Sequence, residues 1–183
     1  IVCSPLLSQV ASELIGSEVA QIFGAAHSAH AIKLGFPVLA VAMPELLPLQ
    51  NFDQRSPYHA YDVLEHTARV CSAAEALTAG CATPALRWAA LLHDIAKPEM
   101  FSIDADGRGH FYGHPEKGAV VAMALLKRLA LSQHLCNKVC ALVSLHAFDV
   151  EITTSSLRHM VALLAEASRS DGIALAYHLL TLK

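Results

Sequence analysis

The chain is expected to fold as an all-α bundle, and three observations point there. Its 183 residues are 54% hydrophobic, 16% charged and 6% aromatic, an alanine-rich composition that suits packed helices and excludes disorder or a collagen-like rod. Apolar residues recur at helical spacing through most of the chain. A single stretch, FSIDADGRGHFYG, alternates around an Asp106-Gly107 turn signal, so a short β-hairpin near residues 101–113 is the one strand pair expected.

Ser4 and Pro5 read as a helix start, followed by Leu6, Val10, Leu14 and Ile15 up to a stop at Gly16. A second start at Ser17 runs through Val19, Ile22 and Phe23, and Pro37 and Pro44 bracket the run VLAVAM, which predicts several small helices across residues 17–47. NFDQRSP is the first polar stretch with a breaker. It separates an N-terminal short-helix region, residues 1–52, from a main helical unit, residues 53–183. In that unit Val63, Thr67, Val70, Cys71, Ala74 and Leu77 form one apolar stripe. Thr83-Pro84 caps a helix LRWAALLHDIAK that Pro98 stops. His114-Pro115 opens another through Val120, Met123, Leu126 and Leu129; Leu135, Val139, Leu142 and Val143 mark the next; the last is expected to run from about 156 to 181.

Net charge is −3 with the 11 histidines neutral, so the chain lacks the basic footprint of a stand-alone nucleic-acid binder. Five cysteines without a CxxC pair argue against a disulfide framework or a thiolate zinc site and suit a reducing compartment. No run free of Asp, Glu, Lys and Arg reaches the ~18 residues of a membrane span, and no signal peptide is visible at the start. A cytoplasmic setting is therefore expected, with no membrane partner. The opening Ile1 in place of Met suggests a piece of a longer protein.

The histidine excess is the chemical signal, because imidazole is both the side chain that titrates near neutrality and a frequent metal ligand. The helix from residue 84 is apolar nearly all round yet ends in His93-Asp94. Burying that pair costs several kcal/mol unless it is hydrogen-bonded, paired or bound to a cation. His59, Asp62 and His66 fall at i, i+3 and i+7 on one helix edge; a wet edge with an ordinary His-Asp pair accounts for the first two, whereas His66 lies against the apolar stripe. Asp171 shares a register with Leu157, Met160, Leu164, Ala167, Ala174 and His178, and His146 continues the stripe of its own helix. For His146 alone a satisfied core histidine is the simpler reading.

His66, His93, Asp94 and Asp171 together offer two imidazoles and two carboxylates, whose charge cancels a divalent cation. Such ligands suit Mn, Fe, Co, Ni or Zn better than Mg, and leave room for water and a phosphate oxygen. A bound water is then acidified and a phosphoryl group polarised. Lys97 either brings positive charge to substrate phosphate or is a solvated lysine at a helix end. His114 marks either an anion site at a helix start or a plain capping turn. Together with His146 it can ligate a second metal or protonate a leaving group, so Asp94, Lys97, His114 and His146 are the catalytic candidates.

His66, then His93-Asp94, then Asp171 resembles the H…HD…D signature of HD-domain metal-dependent phosphohydrolases. YHAYDVLEHT, LRWAALLHDIAKP and GHFYGHPEKGA, preceded by MPEL, are similar to the HD region that follows the polymerase core in bacterial tRNA nucleotidyltransferase and poly(A) polymerase-like proteins, over about residues 40–175. The resemblance implies an HD helical bundle, His66, His93, Asp94 and Asp171 as ligands of a divalent metal, and His114 and His146 as further site residues. It also implies phosphodiesterase or phosphatase action on nucleotide or RNA-end phosphates in RNA processing, with tRNA as a partner through an upstream nucleotidyltransferase domain. The alternative is a non-catalytic, metal-stabilised module that positions tRNA for that domain. Two departures stand out: Ala96 where relatives usually read HDIGKP, and Asp104-Ala-Asp106 without the Gly-Ser lead-in of a nucleotidyltransferase carboxylate pair.

Overall fold

One apolar helix lies at the centre of the described residues. In the computed structural model, which describes residue 6 and residues 9–24, 28–56, 61–78, 82–147, 153–169 and 172–182, that helix is α4, Pro84–Leu92, buried from Ala85 to Leu92. Before it come α1 (Ser12–Gly24), α2 (Ser28–Ala42), a 3-10 helix (Pro44–Leu49) and α3 (Val63–Leu77). After it come the hairpin β1 (Ser102–Ile103) and β2 (Gly109–His110), then α5 (His114–Arg128), α6 (Gln133–Leu145), α7 (Thr154–Ser168) and α8 (Gly172–Leu182). α1, α3, α6 and α8 all touch α4, while α5 pairs with α6 and α7 with α8. A single apolar core joins Phe23 and Leu46 to Leu91, Leu125 and Leu142, and Phe23 packs on Trp88 with ring centroids 5.3 Å apart.

Local signals account for most helix starts. Asp62, Thr83, Ser132 and Thr153 each accept a hydrogen bond from a backbone N–H in the first turn of α3, α4, α6 and α7, a cap worth about 1 kcal/mol. The hairpin is antiparallel, pairing Ser102 with His110 and Ile103 with Gly109. Gly107 supplies the left-handed turn residue at φ 79°. Phe52, Phe101 and Phe111 cluster beneath the hairpin at centroid distances of 5.3 to 6.4 Å, and Gly109 donates its N–H to the Arg55 carbonyl at 2.9 Å.

Four expectations are corrected. Gly16 and Ser17 do not separate two helices but lie inside α1; a Cβ at Gly16 would strike the Leu129 carbonyl, so the glycine serves a close crossing and not a helix end. The Ser4-Pro5 start lies outside the described residues. Pro37 does not break a helix but sits within α2, where burial of Phe36, Leu39 and Ala40 outweighs the lost ladder bond. α4 ends at Leu92 and not at Lys97, and residues 93–100 form turns. The final helix is two: Arg169 takes a left-handed conformation, φ 53°, and closes α7, and Gly172 lets α8 approach the Val161 carbonyl. Among the described residues no helix is long and apolar enough to cross a membrane.

Candidate metal centre

His93 and Asp94 leave α4 where its backbone tightens. Pro98 has no N–H to give the Asp94 carbonyl, which instead accepts from Lys97 N at 3.0 Å, as Leu92 O accepts from Ile95 N at 3.2 Å. The turns that result keep His93, Asp94 and Lys97 at 3%, 1% and 6% exposure. Three more imidazoles arrive from other elements: His66 from the first turns of α3, His114 as the first residue of α5, and His146 immediately after α6. Gly113, φ 77°, is the residue that caps α5.

All four imidazoles direct Nε2 at the one carboxylate. His66 and His93 lie 3.4 and 3.1 Å from Asp94 Oδ2, and His114 and His146 lie 3.3 and 3.5 Å from Oδ1. Helix ends set the ring orientation. Nδ1 of His93, His114 and His146 meets the carbonyl three residues earlier, Ala90, Phe111 and Val143, at 2.9, 2.7 and 2.7 Å. A carbonyl only accepts, so Nδ1 carries a proton, and Nε2 either donates to Asp94 when the ring is charged or presents a lone pair to a metal when it is neutral. His93 Nε2 then stands 3.3 Å from His66 Nε2, and His114 Nε2 stands 3.1 Å from His146 Nε2. Such nitrogen pairs beside a carboxylate are stabilised by a shared cation, whether proton or metal.

Lys97 Nζ lies 2.8 Å from Asp94 Oδ2, yet Oδ2 receives no hydrogen bond. At that length the failure is one of angle, so the contact is an ion pair that leaves oxygen lone-pair capacity unused. Lys97 is steadied by Gln54 Oε1 at 3.0 Å and lies 5.2 Å from the Phe111 ring centre. Burial alone would raise the Asp94 pKa, but His93, His114 and His146 outweigh it and hold the carboxyl well below its usual value. Burial lowers the His146 pKa, against the opposing pull of Asp94.

The donor set fits a divalent transition metal. His66, His93 and Asp94 form one group of candidate ligands and Asp94, His114 and His146 another, each with its ligand atoms within 4.8 Å of one another. Mixed nitrogen and oxygen donors of this kind suit Zn, Mn, Fe, Co or Ni. Asp94 is common to both groups. The site opens into a cavity of about 590 Å³ whose lining includes His66, Asp94, Lys97, His114 and His146.

Of the residues singled out by sequence, His66, His93, Asp94, Lys97, His114 and His146 come together here. Asp62 does not: its two oxygens take the N–H groups of Glu65 and Asn51 at 2.7 and 2.8 Å, so it caps α3. Asp171 and His59 lie outside the described residues. Three residues escaped the sequence reading. Gln54, 2% exposed, bridges Lys97 to the Tyr61 carbonyl at 3.1 Å, and its only signal was a lone glutamine in a polar stretch. His110 and Tyr112 line the cavity from the hairpin, where alternation predicted strands but not which side chains meet.

An HD domain family model matches residues 59–175. The A-adding tRNA nucleotidyltransferase of Deinococcus radiodurans is 35% identical over 126 residues, 68% of this chain and 28% of that protein. The CC-adding tRNA nucleotidyltransferase of Thermus thermophilus is 32% identical over 139 residues, 74% of this chain and 32% of that protein. The chain thus spans about a third of the length of the curated relatives it matches.

Proposed function

The chain belongs to the HD-domain family, and on that premise we propose that it is a divalent-metal-dependent phosphohydrolase acting on nucleotide or RNA-end phosphates. The observation that carries the reading is the convergence of four imidazole Nε2 atoms on the buried Asp94 carboxylate. His66, His93 and Asp94, with Asp171 from the sequence pattern, would hold the cation, which supplies Lewis-acid polarisation of a phosphoryl oxygen. Asp94 keeps its charge because the imidazoles surround it. Lys97 balances that charge and adds positive potential at the cavity wall. His114 and His146, 3.1 Å apart, take up the proton that the attacking water loses and return it to the leaving oxygen as the P–O bond breaks.

Asp104 accepts the N–H groups of Asp106 and Arg108 at 3.0 and 2.9 Å, so it serves the hairpin turn. In the whole protein we place this chain as the HD part of a tRNA-processing enzyme related to the nucleotidyltransferases named above, with nucleotide addition and tRNA contacts carried by a separate domain. A second reading is a non-catalytic, metal-stabilised module that positions tRNA for that domain; the near-complete burial of His93 and Asp94 favours it, because a structural metal site is closed to solvent.

One experiment separates them. The protein and its Asp94→Ala variant are assayed against a 2′,3′-cyclic nucleotide and a generic phosphomonoester with Mn, Ni, Co, Zn or Mg, and metal content is measured by mass spectrometry. Metal-dependent turnover that disappears in the variant is the expected result. Silence with every metal, alongside retained metal binding, transfers the assignment to the structural module. Unchanged metal content in Asp94→Ala removes the metal centre itself.

A further inference from the structure

The hairpin side of the cavity carries an aromatic feature that phosphate chemistry does not use. Tyr112 is 75% exposed although it lines the cavity that holds Asp94 and the four histidines. Its ring lies parallel to that of His110, with centroids 5.2 Å apart and planes 7° from parallel. His110 in turn is held by Asp104 through an Nε2 to Oδ2 contact of 2.7 Å. The remaining Asp104 oxygen accepts the N–H groups of Asp106 and Arg108 at 3.0 and 2.9 Å. Turn, carboxylate, imidazole and phenol thus form one chain of contacts that presents the outer face of Tyr112 in a set orientation.

We propose that Tyr112, backed by His110, is a stacking platform for the base of a nucleoside phosphate whose phosphate reaches the His/Asp floor of the same cavity. The phosphate half rests on the phosphohydrolase reading above; the base half rests on the hairpin. A cavity of about 590 Å³ is within the usual range for a small-molecule site. Stacking is tolerant of base identity because every base has a π face, so the platform selects a base-bearing phosphate over a plain one. A free nucleotide and the terminal nucleotide of an RNA share this chemistry.

The test is calorimetric binding to the metal-loaded protein, with AMP, ribose 5-phosphate and adenosine as probes. AMP is expected to bind more tightly than ribose 5-phosphate by roughly 5- to 150-fold, the range seen when a stacked base loses its partner. Tyr112→Ala should collapse that ratio toward one, and Tyr112→Phe should keep it. Equal affinities for AMP and ribose 5-phosphate overturn the platform, as does a ratio that survives in Tyr112→Ala. If adenosine binds in a Tyr112-dependent way and AMP binds no tighter than adenosine, the platform stands and the phosphohydrolase reading fails. A short single-stranded RNA with a 3′-phosphate, titrated in parallel, distinguishes the two sources: tighter Tyr112-dependent binding than AMP assigns the RNA end, and weaker binding assigns the free nucleotide.

Discussion

At the cavity floor His93, Asp94 and Lys97 are at most 6% exposed, whereas at its rim Tyr112 is 75% exposed. The floor is held through main chain: three imidazoles each donate Nδ1–H to a carbonyl of their own local turn. The rim is held through side chains, by the Asp104 to His110 contact and the stack of His110 on Tyr112. A floor of this kind fixes charge and lone pairs whatever sits above it. A rim of this kind shapes what is admitted and adds little to the charge. The difference predicts that changes at the floor alter metal binding and stability together, while changes at the rim alter ligand preference alone.

The largest effect is expected from His93→Gln, which removes one Nε2 donor and the bond to Ala90. Metal affinity, measured by competition with a chelator, should fall by ~10–100-fold or more; an unchanged affinity would mean that the floor does not hold the ion. Lys97→Met sharpens the comparison because its two effects have opposite sign. Breaking a buried ion pair should destabilise the metal-stripped protein by about 3–5 kcal/mol in denaturant titration, while metal binding tightens because the competing ammonium has gone. Stability of the stripped protein that does not move would show that Lys97 is not what balances Asp94.

Acidity tests the floor through protons. Burial holds the His146 pKa below its ordinary 6.5, so between the folded and unfolded values the unfolded chain binds more protons and stability rises with pH. Its penalty is gone above about 6.5 and grows as pH falls into that window. Asp94, held well below 3.8, adds a contribution of the same sign that is present above 3.8 and lost as pH falls through the folded value. Melting of metal-stripped protein should therefore move to lower temperature as pH drops from 7. His146→Gln should flatten that slope without removing it, because His178 is also shifted down by burial and then by the Lys138 charge. A slope unchanged in His146→Gln would dissociate the histidine from the effect.

The smallest change is expected at the rim. Asp104→Asn weakens the hold on His110, in an exposed carboxyl whose pKa is lowered first by that same histidine. Metal affinity should stay as it is, the melting temperature should fall slightly, and the AMP to ribose 5-phosphate ratio should drop. A loss of metal in this variant would break the division between floor and rim.

Much of the floor was legible in sequence because its signals are local. An aspartate and a histidine at the end of an apolar helix, with a capping Thr83-Pro84 ahead and Pro98 behind, need no tertiary information to be recognised as a buried polar pair. His66 and His146 were legible through their place beside an apolar stripe. Asp62, read from sequence as part of a wet helix edge, turns out to cap α3, a role that periodicity alone does not separate from a core-facing carboxylate. The rim was less legible: alternation at residues 101–113 predicts strands, but Tyr112 and His110 meet through the turn geometry that Asp104 and Gly107 impose.

The sequence by itself determined the all-α class, the hairpin, most helix starts and the residue types of the candidate metal centre, since caps, prolines and apolar spacing act over a few residues. Tertiary structure alone decided where helices could continue or had to stop. Pro37 stays inside α2 and Gly16 inside α1 because burial and a close crossing at Leu129 outweigh their local preferences, while Arg169 ends α7 so that α8 can pack back on it. Tertiary structure also decided the chemistry, because four imidazoles from α3, the end of α4, α5 and the end of α6 acquire a common target only when those elements pack around Asp94.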